Sequence, residues 1–388
     1  MWKKKKKGAH SMRIAIFGGS FDPVHNEHIR VAEEAIRSLR LDKLIVMPAH
    51  TPPHKSWERL ADDTVRLYCC RLAFAHLENV EVSDYEINKG GTSYTFETCR
   101  YFRKEYPSAE LFWLVGTDML YDFPTWKNPE DILQNVTLAV CARDEKQGWL
   151  DRAQADFEQR FSKRFAVVEY NGAPVSSTEI RVLAGAGMRL DGYVPDSVAT
   201  YMENRKVYAI PFAKDALALQ KLSRREHSLG VAKLAAKRAR GLKIDESKAI
   251  TAGLFHDCAK NLELDSPLLS GFVKKDEWGD IPQPVLHQFT GAYLAETRFG
   301  VTDTDVLNAV RYHTSGRENM SDLEKLIFLA DMLEEGRNFD GVDELRALFW
   351  EKDLDVCLKV ALKRSLGFVE SKGGTVYPLT RKAYEFYR

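Results

Sequence analysis

Residues Gly18–His28 are the strongest candidates for chemistry in this 388-residue sequence. The segment reads GGSFDPVHNEH, with glycines first and two histidines three residues apart, at His25 and His28. Glycines let the backbone approach a ligand closely, and the free N–H groups at a helix start favour an anion. Two imidazoles on one face of the first helical turn can stabilise charge that develops on a transferring phosphoryl group. The segment therefore predicts a phosphate-binding site in which histidines assist phosphoryl transfer.

Four histidines and two aspartates in the second half of the chain form another candidate group. Imidazole and carboxylate ligands without cysteine suit Fe, Mn, Co or Mg better than a structural zinc site. The histidines fall on predicted helices and are too far apart in sequence for a local metal finger, but the helices of one bundle can bring such residues to a common centre. The predicted ligands are His227, His256, Asp257, His287, His313 and Asp331.

The elements around the first site alternate between strand and helix. Buried strands that alternate with helices indicate a parallel sheet covered on both faces, so this part of the chain is predicted to be α/β. The expected strands are residues 13–19, 44–48, 111–116 and 136–142, and a helix is expected over residues 26–40.

The second half has helical periodicity and almost no strand signal. Its expected helices are residues 223–240, 246–260, 284–299, 303–313 and 321–335. The change of pattern predicts a boundary near residues 210–215, with domains at 13–212 and 213–388. Residues 1–12 (MWKKKKKGAHSM) carry five lysines without a following apolar core, which is typical of an expression tag rather than a signal peptide.

Composition excludes several classes of function. Lys+Arg and Asp+Glu balance at 56 each, and without the five lysines of the tag the net charge is −5. A mildly acidic protein has no electrostatic basis for non-specific binding to nucleic acid or to an anionic membrane. No apolar run approaches the roughly 18 residues of a membrane span. Six cysteines without a CxxC pattern favour a reducing cytoplasm.

The GGSFDPVHNEH segment resembles the GxFDPxHxGH signature of the HxGH nucleotidyltransferases, and Val175–Arg181 (VSSTEIR) is similar to their distal SSTxIR motif. The resemblance implies a Rossmann-like domain that binds ATP, with Mg²⁺ balancing the triphosphate charge. His25, His28 and Arg181 would be catalytic. The chain departs from the signature at Glu27, where the pattern has glycine. The implied ATP contacts are Gly18, Gly19, Ser20, Phe21, His25, His28, Ser177, Thr178 and Arg181.

Three further stretches resemble nicotinate-nucleotide adenylyltransferases: residues 51–55 (TPPHK), 91–98 (GTSYTFET) and 116–118 (GTD) followed by a tryptophan. The resemblance implies adenylyl transfer from ATP to nicotinate mononucleotide, giving nicotinate adenine dinucleotide and pyrophosphate. The amide mononucleotide remains an alternative acceptor. Trp126 would stack on the pyridine ring, with Thr95 and the Lys127 backbone N–H at its carboxylate. Lys55 would approach the mononucleotide phosphate, and Asp118 would line the cleft.

The order H…HD…H…H…D resembles the HD-domain phosphohydrolases, and most of all the bacterial symmetrical diadenosine tetraphosphate hydrolases. The resemblance implies an all-α HD-domain bundle with two metals bridged by Asp257; iron is the first choice, with manganese or cobalt as alternatives. Lys260 and Arg337 would contact outer phosphates. Gln288 and Phe289 stand where smaller residues are expected. Alternatives left open are a regulatory HD domain, an HD domain that hydrolyses another nucleotide, and a homo-oligomer.

Overall fold

A computed structural model describes residues 11–53, 60–143 and 147–388. A six-stranded parallel sheet and its flanking helices form the first part of the chain, and helices form the rest. This arrangement confirms the α/β class with an all-helical second part. The strands are β1 Arg13–Gly19, β2 Lys43–Pro48, β3 Val80–Val82, β4 Glu110–Gly116, β5 Thr137–Arg143 and β6 Ala166–Tyr170.

Contacts divide the chain into two compact units. The sheet unit comprises residues up to Ser177 together with Asp191–Arg205, and the helical unit comprises Thr178–Leu190 and Lys206–Arg388. The helices of the sheet unit are α1 Asn26–Leu39, α2 Asp63–Phe74, α3 Tyr85–Lys89, α4 Thr95–Glu105, α5 Thr117–Asp122, α6 Pro129–Asn135, α7 Gln147–Phe161 and, later in the chain, α9 Asp196–Asn204. Those of the helical unit are α8 Ser177–Gly185, α10 Ala213–Ala218, α11 Leu222–Leu242, α12 Glu246–Phe255, α13 Gln283–Thr297, α14 Thr304–Tyr312, α15 Asp322–Leu333, α16 Val342–Glu351, α17 Leu354–Ser371 and α18 Pro378–Tyr387.

Strand order in the sheet is β3-β2-β1-β4-β5-β6, so the direction of winding reverses between β1 and β4. Ligands of open α/β sheets bind outside the carboxyl ends of the strands at such a reversal. The register pairs Ile14 with Leu111 and Ile16 with Trp113, and these side chains are buried in the core of the sheet unit. The sheet therefore places the residues after β1 and β4 at its ligand-binding edge.

The helical unit is built around the helices that carry the predicted metal ligands. Its α11 packs against α12 and α15, and α14 packs against α13 and α15. Small buried side chains such as Ala232, Ala235 and Ala309 let these helices approach closely. No helix among the described residues is long and apolar enough to cross a membrane.

Two of the predicted ligand histidines lie one residue past a helix instead of within it. The helix predicted to run to residue 260 ends at Phe255, and the helix predicted to run to residue 313 ends at Tyr312. In both cases the imidazole Nδ1 lies 2.7 Å from the carbonyl oxygen three residues earlier, that of Gly253 for His256 and that of Val310 for His313. The side chain thus satisfies a carbonyl at the end of the helix.

Candidate functional sites

The last two residues of β1 are glycines, and the turn that they begin depends on close packing between neighbouring strands. A Cβ atom on Gly18 would lie 2.6 Å from Cζ2 of Trp113 in β4, so no larger residue fits at this position. The next part of the turn is fixed by Arg66, whose side chain is 1% exposed and whose NH1 donates to the Ser20 carbonyl at 2.6 Å. Sequence reasoning missed Arg66, because a single arginine on a helix carries no signal of its own.

His25 and His28 lie side by side at the start of α1, with ring centroids 3.7 Å apart and the Phe21 ring packed on His28. The backbone N–H of His25 donates to Nδ1 of His28 at 3.1 Å, which leaves Nε2 as the proton-bearing nitrogen of a neutral ring. Burial lowers the pKa of His25 to about 4 and holds the pKa of His28 well below its ordinary value. Nδ1 of His25 is buried without a hydrogen-bond partner among the described residues. This pair therefore offers a ligand two neutral imidazoles.

The structure divides the residues of the predicted SSTxIR motif between the units. Ser177 belongs to the sheet unit, where its hydroxyl donates to the Pro23 carbonyl at 3.0 Å, beside the His25 turn. Thr178 and Arg181 belong to the helical unit. There the buried Arg181 guanidinium makes a two-pronged ion pair with Glu246 at 2.7 and 2.9 Å. Arg181 is thus a fixed cation, and it is paired with a carboxylate that the motif gave no reason to expect.

The residues predicted for the acceptor lie on the loops and helix starts of the sheet unit. Asp118 follows β4, and its Oδ1 lies against Gly116, where a Cβ atom would come within 2.5 Å. Thr95 begins α4, and the Lys127 ammonium lies 4.0 Å from the ring centroid of the preceding Tyr94. Trp126 is half-buried, with its ring 5.4 Å from that of Phe123. The structure brings Lys127 to the start of α4, while Lys55 lies outside the described residues.

Glu27 replaces the glycine of the signature, and its side chain is 8% exposed. One carboxylate oxygen lies 3.2 Å from the Arg30 guanidinium. The other has no hydrogen-bond partner among the described residues and lies against Gly172, where a Cβ atom would be 2.3 Å away. The carboxylate fills the space between the first turn of α1 and the loop that follows β6.

The six predicted metal ligands come together in the helical unit. Three groups, each with ligand atoms within 4.8 Å of one another, are His227 with His256 and Asp257, His256 with His313 and Asp331, and Asp257 with His287 and His313. Asp257 and His256 link the groups into one cluster, which is the candidate metal centre.

Lone-pair atoms of this cluster face each other across its centre. Nε2 of His287 lies 3.0 Å from Nε2 of His313, and both lie near Oδ1 of Asp257, at 3.2 and 3.6 Å. That carboxylate oxygen is buried without a hydrogen bond of good geometry among the described residues. Buried imidazole nitrogens and carboxylate oxygens that converge on one point fit a cation at that point. The donor set of the candidate metal centre therefore fits a divalent metal.

A second carboxylate orients His227. Nε2 of His227 lies 2.9 Å from Asp331, and its Nδ1 lies 3.0 Å from Oε1 of Glu334. Burial favours the neutral ring, but the hydrogen bonds to these two carboxylates outweigh it and raise the pKa of His227. A carboxylate on the far nitrogen of a histidine ligand fixes its tautomer and ring direction. Sequence reasoning missed Glu334, although its place one turn after Asp331 was a usable signal.

Three cations surround the candidate metal centre. The Arg224 guanidinium lies 3.0 Å from Oδ2 of Asp257, and Arg337 donates to Oδ1 of Asp331 at 2.6 Å. The Lys260 ammonium lies 3.1 Å from both ring nitrogens of His287. Burial lowers the pKa of Lys260. Lys260 and Arg337 were predicted to contact outer phosphates, and Arg224 was not predicted.

A cavity of about 230 Å³ adjoins this centre, lined by Lys260 and His287 at one side and by apolar side chains such as Leu262 and Leu286. Gln288 and Phe289, the larger residues noted in the sequence, are buried at 0% and 1% exposure and do not line it.

Comparisons with known proteins cover the segments of both candidate sites. Residues 16–183 match the family described as cytidylyltransferase-like, and residues 224–336 match the HD domain. A Mycoplasma genitalium protein named "Probable nicotinate-nucleotide adenylyltransferase/Ap4A hydrolase" is 30% identical over 326 residues, which are 84% of this chain and 88% of that protein. The chain belongs to this nicotinate-nucleotide adenylyltransferase/Ap4A hydrolase family.

Another member of the family, from Mycoplasma pneumoniae and with the same name, is 30% identical over 355 residues, 90% of this chain and 97% of that protein. A solved structure titled "Crystal structure of predicted HD superfamily hydrolase involved in NAD metabolism", from Clostridium acetobutylicum, is 40% identical and has a TM-score of 0.42. It covers 45% of this chain and 94% of that chain. Within the family, the HD domain and the His/Asp cluster together indicate a divalent-metal site.

Proposed function

We propose that the chain is a bifunctional enzyme. Its first activity transfers the adenylyl group of ATP to nicotinate mononucleotide, giving nicotinate adenine dinucleotide and pyrophosphate. Its second activity hydrolyses diadenosine tetraphosphate symmetrically to two molecules of ADP. The observation that carries the proposal is that one chain holds both the neutral His25–His28 pair at a sheet edge and a six-ligand centre in a helical unit.

For adenylyl transfer, the residues after β1 would hold the triphosphate and its Mg²⁺ at the carboxyl edge of the sheet. His28 presents the N–H of its Nε2, because its Nδ1 already accepts from the His25 backbone. Neutral donors fixed in place before the reaction stabilise charge at the α-phosphorus without reorganising. The acceptor phosphate attacks in line, so that the protein forms no covalent intermediate and acts by positioning and electrostatics.

For the acceptor, Trp126 would stack on the pyridine ring, and Thr95 and the Lys127 backbone N–H would hold its carboxylate. The support is that Lys127 lies beside the start of α4, where Thr95 is located, and that Trp126 keeps part of its ring exposed. Asp118 would line the cleft at the end of β4. A carboxylate held by two donors favours the acid over the amide mononucleotide.

For hydrolysis, the six ligands would hold two divalent metals, with Asp257 shared between them; iron is the first choice for imidazole and carboxylate ligands, and manganese or cobalt would also fit. Such metals supply an activated water and neutralise phosphate charge. Lys260, Arg337 and Arg224 place three cations around the centre, where they would pair with the oxygens of the polyphosphate. The cavity beside His287, which both polar and apolar side chains line, would take one nucleoside end of the substrate.

We also propose a cytoplasmic location, because all six cysteines are free and buried.

The transferase is tested by supplying ATP and Mg²⁺ with either the acid or the amide mononucleotide. The expected product is nicotinate adenine dinucleotide, with the acid turned over at least about tenfold more efficiently; one unmatched polar group can cost this much. Equal turnover of the two acceptors would contradict the assigned roles of Thr95 and Lys127. Absence of both products would contradict the transferase.

The hydrolase is tested by chromatography of the products from diadenosine tetraphosphate, with Fe²⁺, Mn²⁺ or Co²⁺ supplied. ADP alone is the expected product. A mixture of ATP and AMP would contradict symmetrical cleavage. No turnover with any of the three metals would leave another nucleotide or a regulatory role for the HD domain.

A further inference from the structure

Gln288 follows the ligand His287 in α13, and its side chain is fully buried. Its carboxamide makes three hydrogen bonds to the segment that directly follows the ligand His313. Oε1 accepts from the backbone N–H groups of Thr314 and Ser315, at 3.1 and 3.0 Å, and Nε2 donates to the Ser315 hydroxyl at 2.8 Å. A single side chain thus ties the helix of one ligand to the turn of another.

The chemistry of this contact requires a carboxamide. Its oxygen accepts two N–H groups while its nitrogen donates to a hydroxyl, whereas an ionised carboxylate only accepts and a thioether does neither well. Gln288 also contacts backbone groups that directly follow the end of α14. There the Val310 carbonyl pairs with Nδ1 of His313, and the N–H of Thr314, four residues after Val310, donates to Gln288.

The two ligands that Gln288 connects have imidazole nitrogens that face each other closely. Nε2 of His287 and Nε2 of His313 are 3.0 Å apart, with Oδ1 of Asp257 near both. Their spacing depends on how α13 sits against the turn after α14. We propose that Gln288 is a positioning residue that holds His287 and His313 at one of the two metal positions. The proposal rests on the metal-dependent activity proposed above.

The test measures metal binding as well as activity, with Mn²⁺ as the probe. Calorimetric titration and the metal content of desalted protein would be compared for the wild type, Gln288→Met and Ser315→Ala. Gln288→Met keeps the approximate length of the side chain and removes all three hydrogen bonds. Ser315→Ala removes one of the three bonds to Gln288, together with the bond from the Ser315 hydroxyl to the Gly316 carbonyl, and leaves both bonds to Oε1 in place.

The wild type is expected to bind two Mn²⁺ ions. Gln288→Met should lower the Mn²⁺ affinity of one of the two sites about 10- to 100-fold, as is typical for loss of an outer-shell partner. The Mn²⁺ affinity of the other site should stay within about twofold of the wild type. Ser315→Ala should lower the Mn²⁺ affinity of the same site by a smaller factor. Raising the Mn²⁺ concentration should restore hydrolysis by Gln288→Met, because the ligands themselves are intact.

Unchanged affinity at both sites in folded Gln288→Met would overturn the proposal, as would equal weakening of both sites. If Gln288→Met does not fold, two unchanged sites in Ser315→Ala would overturn it. A wild type that binds no Mn²⁺ would contradict the metal centre and this proposal together. Two sites with the expected weakening, but no turnover of diadenosine tetraphosphate, would support the role of Gln288 and contradict only the proposed substrate.

Discussion

The candidate phosphate site and the candidate metal centre differ in how the chain assembles them. The first is almost contiguous: the last two residues of β1 are its glycines, and both histidines follow at the start of α1, all within Gly18–His28. The second gathers ligands from positions 227 to 331, on or beside five helices. Strand order and backbone geometry therefore fix the phosphate site, whereas helix packing fixes the metal centre.

The two regions also differ in charge. The phosphate site presents neutral imidazoles whose pKa values burial has lowered. In the metal centre, electrostatic attraction and hydrogen bonds from histidines outweigh burial and hold the pKa values of Asp257 and Asp331 far below their ordinary range. Neutral donors suit a substrate that brings its own anionic charge and Mg²⁺, whereas ionised carboxylates suit a resident cation. We therefore expect substitutions in the two sites to impair different activities.

The largest effect is expected from Asp257→Asn, which removes the shared anionic ligand of the metal centre. Hydrolysis of diadenosine tetraphosphate should fall at least about a thousandfold, since a metal site supplies several kcal/mol of charge stabilisation. The exposed Asp265→Asn is the matched control and should retain full activity. Turnover of Asp257→Asn within tenfold of the wild type would contradict the role of Asp257.

The next largest effect is expected from His28→Asn. Loss of one fixed donor to the transferring group should lower the rate of adenylyl transfer about 100- to 1,000-fold, measured as kcat with saturating ATP. His76→Asn is the matched control, because the His76 side chain is about half exposed. A change in KM for ATP alone would show that His28 binds the ground state rather than the transition state.

A smaller effect is expected from Glu334→Ala, which leaves every ligand in place and frees Nδ1 of His227. Metal affinity should fall about 10- to 100-fold, measured by competition with a chelating dye. The next residue provides the control: the Glu335 side chain is 95% exposed, and Glu335→Ala should bind metal as the wild type does. Equal metal affinity in both variants would contradict the role assigned to Glu334.

The smallest effect concerns stability and pH at His25. Its lowered pKa means that between pH 6.5 and about pH 4 the unfolded chain binds more protons than the folded one, so stability falls with acidification. This residue should lower the free energy of unfolding by about 2 kcal/mol as the pH falls from about 7.5 to about 5. The free energy of unfolding is measured by urea titration. The pH dependence should be smaller by that amount in His25→Gln and unchanged in His76→Gln. An unchanged dependence in His25→Gln would show that His25 has the same pKa in the folded protein as in the unfolded chain.

The sequence predicted the contiguous site better than the dispersed one. The strand and helix around Gly18–His28 are those expected, because apolar runs and a helix start are local signals. The edge strands β3 and β6 had no prediction: β3 has only three residues, and β6 is only partly buried. Helices α16–α18 also had no prediction.

For the metal centre, the sequence predicted the six ligand-type side chains that the structure brings together, but not the residues that support them. Glu334, Arg224 and Gln288 make side-chain contacts that span 27 to 107 residues in sequence. Such contacts become apparent only when the helices are packed. The same holds for the Arg181–Glu246 pair, which places a residue of the transferase motif in the helical unit.

The central claim is that one chain has two separate catalytic sites, and it is tested most directly by assaying both activities in both variants. Asp257→Asn should lose hydrolysis of diadenosine tetraphosphate and keep adenylyl transfer within about twofold of the wild type, and His28→Asn should do the reverse. Loss of both activities in either folded variant, or loss of neither in both, would contradict the account.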